Sequence, residues 1–258
     1  MRARQIRAAH VRAVVAVTAI QFARYGVIHL GLWIAPVLGI DGWDRGLFVN
    51  VLCCVYAAGI ATWSGAWRDS GIVRRWGGWI AVFWLVPLAF EALAWLVPHG
   101  MASSLEGVAW PWWVVNLLLV GFNEELICRG VILPCLERAF GAGTAVSLAA
   151  LAFGLQHLSA FTTGDAPAGD ILWNVLLTAV YGFALGAWQH RFRWLWPLIA
   201  LHAVSDLTSL LSPESPRDLV IAVVYPGLIL AGVLLLAGES PRVTHHATAI
   251  GAGGSETR

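Results

Sequence analysis

PWWVVNLLLVGFNEELICRGVILPCLE, residues 111–137, is apolar nearly throughout yet carries Glu124, Glu125 and Arg129 in its interior. A helix crossing a bilayer needs about 20 predominantly apolar residues at a rise of about 1.5 Å each, and this stretch supplies them. Ionisable side chains at that depth cost about 2.5–3.5 kcal/mol each on insertion scales. Such groups face the interior of a bundle, where other helices bring partners. The stretch therefore implies both a membrane span and a polar site shared with further spans.

Those further spans are read at 13–38, 47–67, 76–98, 142–160, 171–190, 194–211 and 218–237. The expected fold is all-α, a polytopic transmembrane bundle of about eight helices with the active site in its core. Residues 1–237 form the transmembrane domain, with its motif-bearing part at about 110–210, and 238–258 a disordered tail. Composition agrees. The chain of 258 residues is 59% hydrophobic and 12% charged, whereas soluble domains carry about 25% charged residues. Its 15 Trp residues suit a protein with two lipid interfaces. A net charge of +1 gives no sign of a nucleic-acid partner.

Arg placement sets the expected orientation, because cytoplasmic loops retain basic residues. With the N-terminus inside, Arg2, Arg4, Arg7, Arg12, Arg68, Arg74, Arg75, Arg138, Arg191, Arg193, Arg242 and Arg258 are cytoplasmic, against Arg45 and Arg217 opposite. Both termini are then expected in the cytoplasm of a cell membrane. All 16 basic residues being Arg points to a GC-rich, bacterial source. The basic N-terminus reads as a signal anchor rather than a cleaved peptide, since the apolar run continues to about Ile40. Cys53, Cys54, Cys128 and Cys135 read as small hydrophobes in apolar stretches. Ser159 to Asp170 is expected to form a surface loop.

Three polar pairs share a helical spacing. Glu125 and Arg129 are four apart, acid first, the better order for an ion pair on one face. Glu124 is rotated by about 100° and keeps another direction. Phe153 and His157 are four apart on the next span, and His202 and Asp206 four apart on the seventh. Singly, each is as readily a structural salt bridge or a helix-internal hydrogen bond. Counted from the cytoplasmic ends at about 1.5 Å per residue, however, Glu124, His157 and Asp206 all lie about 20 Å deep, and His202 about 14 Å. Arg24, His29 and Glu91 form a looser second set, and Gly182 and Gly186 a GxxxG that favours close packing within the monomer.

With Glu124-Glu125…Arg129, Phe153…His157 and His202…Asp206 in this order on separate helices, residues 110–210 resemble the CAAX-protease and bacteriocin-processing (CPBP, or Abi) intramembrane proteases. Asp206 stands where that family commonly has Asn. The resemblance implies peptide hydrolysis in the bilayer by a water activated without a covalent intermediate. It assigns Glu124, Glu125, Arg129, His157, His202 and Asp206 as catalytic residues. In that scheme Glu124 is the general base, His157 holds the water and His202 stabilises the oxyanion. Asp206 stands behind His202, and Glu125 with Arg129 fixes the helix face. A zinc version uses Glu124, His157 and His202 as ligands with an open fourth position, although the His-Glu-x-x-His spacing is absent. The implied partner is a peptide or protein substrate at the bilayer. Two readings compete: a peptide-binding or bacteriocin-immunity protein without turnover, and a transporter using the same groups as a proton relay. No repeated halves with broken helices support transport.

Overall fold

The structure, a computed structural model, describes residues 2–99, 102–105, 107–164, 166–212 and 218–238. The chain forms a helical bundle. Helix α1 (Arg2–Val37) and α2 (Gly42–Ser64) form the first two spans. The third is broken at Trp84 into α3 (Trp79–Phe83) and α4 (Leu85–His99). Pro87 explains the break, since its ring opposes the Phe83 carbonyl of a continuous helix. A hairpin of β1 (Ser104–Leu105) and β2 (Val108–Ala109), turning through Gly107 at φ +76°, precedes α5 (Trp110–Glu125). The fourth span then runs through a π-helical segment, Leu126–Ile132, into α6 (Leu133–Glu137).

The remaining spans are α7 (Ala142–Gln156), α9 (Ala168–Phe192), α10 (Leu195–Leu211) and α11 (Asp218–Ala237). Between α7 and α9 lie a 3₁₀ turn (His157–Ser159) and the short α8 (Ala160–Thr163). The expected surface loop at 159–170 is therefore mostly helical, and among its described residues Gly164, Ala166 and Pro167 lie outside a helix. Helix α1 also begins at Arg2 rather than 13, its exposed Arg4, Gln5, Ile6 and Arg7 continuing the helix past the apolar run. Among the described residues six helices are long and apolar enough to cross a membrane. The span at 110–137 is interrupted by its π segment, and Leu195–Leu211 is shorter.

The core is built around the fourth span and α9. Leu126, Ile127, Ile132 and Leu133 are fully buried, as are Leu185 and Trp188, while Phe22, Trp33, Trp63, Trp79 and Phe83 project outward. A bundle in lipid has this pattern, because lipid tails solvate the outer apolar residues. Small residues allow α7 and α9 to touch. A Cβ on Gly154 would lie 2.6 Å from the Val175 carbonyl oxygen, and one on Gly182 2.8 Å from Phe153. Gly186 meets Val146 likewise, so the GxxxG packs inside the monomer.

The Arg-rich segments gather at one end. His10 stacks on Phe140, Arg138 pairs with Asp69 at 2.9 Å, Arg74 donates to the Phe192 carbonyl, and Glu137 accepts from His190 and Arg193. Trp43, Trp112 and Trp113 cluster at the other end. The assignment of the Arg-rich end to the cytoplasm is an expectation from charge placement. Arg217, Arg242, Arg258 and the expected tail beyond Gly238 lie outside the described residues.

Candidate active site

The π segment shapes the site. Its wider turn starts directly after Glu125 and carries Arg129, while Pro134, just beyond it, has no N–H for the Gly130 carbonyl. Short π segments within α-helices are frequent at functional sites. Here the turn leaves the acid–base spacing intact: Arg129 Nη1 donates to Glu125 Oε1 at 2.8 Å, with both side chains buried. The Arg129 guanidinium also lies 3.9 Å from the Phe153 ring centroid and donates to the Gly182 carbonyl at 3.4 Å. The absence of a side chain at Gly182 leaves room for that stack.

Glu125 holds a second partner. His202 Nδ1 is 2.7 Å from the same Glu125 oxygen, and a carboxylate accepts, so Nδ1 carries a proton. Nε2 then faces Asp206 Oδ2 at 3.5 Å and Glu124 Oε2 at 3.8 Å. The ring orientation of His202 is thus set by Glu125, and Asp206 sits on the other side of the ring. Phe153 lies edge-on to both His157 and His202, with centroids 5.5 and 5.8 Å away. His157 closes α7, its Nδ1 donating to the Phe153 carbonyl at 3.0 Å, which leaves Nε2 as the acceptor.

Glu124 points elsewhere, as its rotation along the helix requires. Arg24 Nη2 donates to Glu124 Oε1 at 2.7 Å and to Asn123 Oδ1 at 3.0 Å, and Gln156 Nε2 donates to Glu124 Oε2 at 2.8 Å. A cavity of about 230 Å³ brings Arg24, Glu124, Gln156, His157 and Ser159 together. Arg24 therefore belongs to the centre rather than to a looser set. The sequence does carry a signal for it: no acid lies within a turn of Arg24 on α1, so its partner must come from another helix. Gln156 sits beside His157, and no spacing distinguishes its role. The other two of that set lie apart. Glu91 accepts from Trp95, Ser205 and Tyr225, and His29 contacts Tyr25 and Thr162.

Among the described residues, no three His, Cys, Asp or Glu side chains gather as metal ligands. Glu124 already carries a guanidinium on one oxygen and an amide donor on the other. His202 and His157 use Nδ1 on Glu125 and the Phe153 carbonyl and keep Nε2, as a ligating His does, so Glu124 decides the fit. A cation at Glu124 would meet the Arg24 charge directly, so this donor set does not fit a resident zinc ion as arranged.

Comparison with known families gives one match. Residues 106–208 match the family model described as Type II CAAX prenyl endopeptidase Rce1-like. All six candidate catalytic residues fall inside the matched span. No curated protein and no solved structure gives a significant match.

Proposed function

We propose that this chain, whose residues 106–208 match the Rce1-like family model, is an intramembrane endopeptidase whose Glu124 activates water. The observation that carries the reading is the separation of the two adjacent carboxylates. Glu125 is committed to Arg129 and His202, whereas Glu124 borders the cavity with His157.

In this scheme water sits in the cavity between Glu124 and His157 Nε2. Glu124 takes one water proton while the oxygen attacks the scissile carbonyl carbon. A positioned base of this kind contributes about 10²–10⁴-fold. The resulting oxyanion accepts a hydrogen bond from Nε2–H of His202 in its doubly protonated form, whose Nδ1–H donates to Glu125. Collapse breaks the C–N bond, and Glu124 returns its proton to the leaving nitrogen. Arg24 and Gln156 fix the carboxylate plane, and Arg129 gives the buried Glu125 its ion-pair partner. Asp206 supports the charged imidazole from its open side.

The substrate is a peptide or protein at the bilayer. The test uses purified protein in vesicles with a farnesylated C-terminal peptide and its unmodified counterpart, assayed with added hydroxylamine. Direct water attack yields a free carboxylate at the new end. A hydroxamate there would reveal an acyl-enzyme and overturn the proposal.

A further inference from the structure

Two cavities outside the catalytic one lie along α1. The first, about 450 Å³, is an apolar groove between α1 and α7, lined by Val17, Phe22, Tyr25, Ile28 and Leu155 among others. Phe22, Leu155 and Leu158 are exposed there, and in a bundle that exposure faces hydrocarbon. The second, about 410 Å³, continues along the same helix at the tryptophan-rich end, where His29, Arg45, Thr162 and Thr163 line it with Trp33. The Tyr25 hydroxyl joins the two by its hydrogen bond to Thr162 at 2.8 Å.

The second cavity has the chemistry of an anion site. Arg45 makes no ion pair among the described residues; Nη2 donates to the Leu32 carbonyl at 3.1 Å, and its buried Nε has no partner. Gly42, the first residue of α2, also lines the cavity. The first N–H groups of a helix have no acceptor within it, and together they attract phosphate oxygens. Asp41 and Asp44 are not in the lining. Trp33, 71% exposed, lies at the rim, and Trp side chains favour the headgroup level.

We propose that α1, α2 and the α7–α8 turn form a binding site for an anionic phospholipid, with its phosphate at Arg45 and an acyl chain in the α1–α7 groove. The dimensions agree. Val17 to Trp33 covers about 24 Å of helix at 1.5 Å per residue, the scale of one extended acyl chain and its headgroup. The groove shares Arg24, Ile28, Gln156 and Ser159 with the catalytic cavity, so the bound chain borders the site laterally. This proposal rests on the two cavities, not on catalysis.

The test is lipid exchange on full-length protein in detergent, read by native mass spectrometry and thermal shift. The probes are phosphatidylglycerol, phosphatidylcholine and soluble glycerol phosphate, offered to wild type, Arg45→Gln and Thr163→Val. Wild type should retain phosphatidylglycerol over phosphatidylcholine, and Arg45→Gln should lose that preference by about tenfold, the scale of one charge-assisted hydrogen bond. Thr163→Val should weaken it less. Equal retention of both lipids by wild type would overturn the proposal even if Arg45→Gln fails to fold. A preference that survives in folded Arg45→Gln would place the site elsewhere. Glycerol phosphate binding as tightly as the lipid would remove the groove from it. Displacement of the lipid by a peptide with a free C-terminal carboxylate, but not by its amide, would reassign the pocket to substrate if no lipid preference is seen.

Discussion

Removing the Arg24 side chain tests how Glu124 is held. In Arg24→Ala, Glu124 loses a 2.7 Å donor and Asn123 a 3.0 Å donor. The side chains of the pair are only 8% and 11% exposed, so bulk water cannot replace the guanidinium. Breaking a buried pair by removing one partner costs about 3–5 kcal/mol, most of it from the uncompensated charge. Gln156 still donates to Glu124, which places the expected loss near the lower end, about 3 kcal/mol. Arg24→Ala with Glu124→Gln removes both charges. The double variant should then be more stable than the two single losses predict, with a coupling of about 1–3 kcal/mol. Unfolding in mixed micelles, followed by Trp fluorescence, measures all four proteins. A loss below about 0.5 kcal/mol for Arg24→Ala, the scale of a neutral surface change, would refute the pairing. So would additivity within about 0.5 kcal/mol.

Other perturbations address neighbouring contacts. Gly182→Ala places a methyl 2.8 Å from Phe153 and 3.2 Å from Arg129 Nη2; overpacking of this kind costs about 1–3 kcal/mol, and unchanged unfolding would mean the Arg129–Phe153 stack is loose. Arg129→Ala leaves Glu125 with His202 alone and should lower folded yield by more than Asp206→Asn does, as size-exclusion recovery will show. Asp206→Asn should keep the fold, because Glu125 rather than Asp206 holds His202 Nδ1, and should reduce turnover modestly; elemental analysis of both proteins should find no stoichiometric zinc. Reporters fused after Arg75, Arg138 or Arg193 should report cytoplasm and those near Asp44 the far side, and a reversed pattern would invert the assigned orientation.

The spans were legible because lipid leaves a simple constraint: every backbone group must pair within its own helix, so long apolar runs can be little else. Breaks within them were less legible. Pro87 ends α3 at Phe83, and the π segment from Leu126 to Ile132 depends on neighbours that spacing does not reveal. At the site, the Glu125–Arg129 pair could be read from a four-residue interval because one helix carries both. The contacts of Glu124 could not, since Arg24 and Gln156 reach it across 100 and 32 residues of sequence. The same limit applied to His202. Its neighbour four residues on was visible as Asp206, yet the hydrogen bond from its Nδ1–H goes to Glu125 on another helix. Helical periodicity reports one helix face at a time, and this site is made where several faces meet.

The most direct test of the proposed chemistry is the turnover of Glu124→Gln, measured on folded protein in vesicles beside wild type. Gln keeps the shape of the side chain but cannot accept the water proton. The expected result is a fall in kcat of about 10²–10⁴-fold per folded molecule, the range for a general base, with KM little changed and a lower folded yield because Arg24 loses its ion pair. Near-normal kcat in Glu124→Gln would contradict the role of Glu124 as the base.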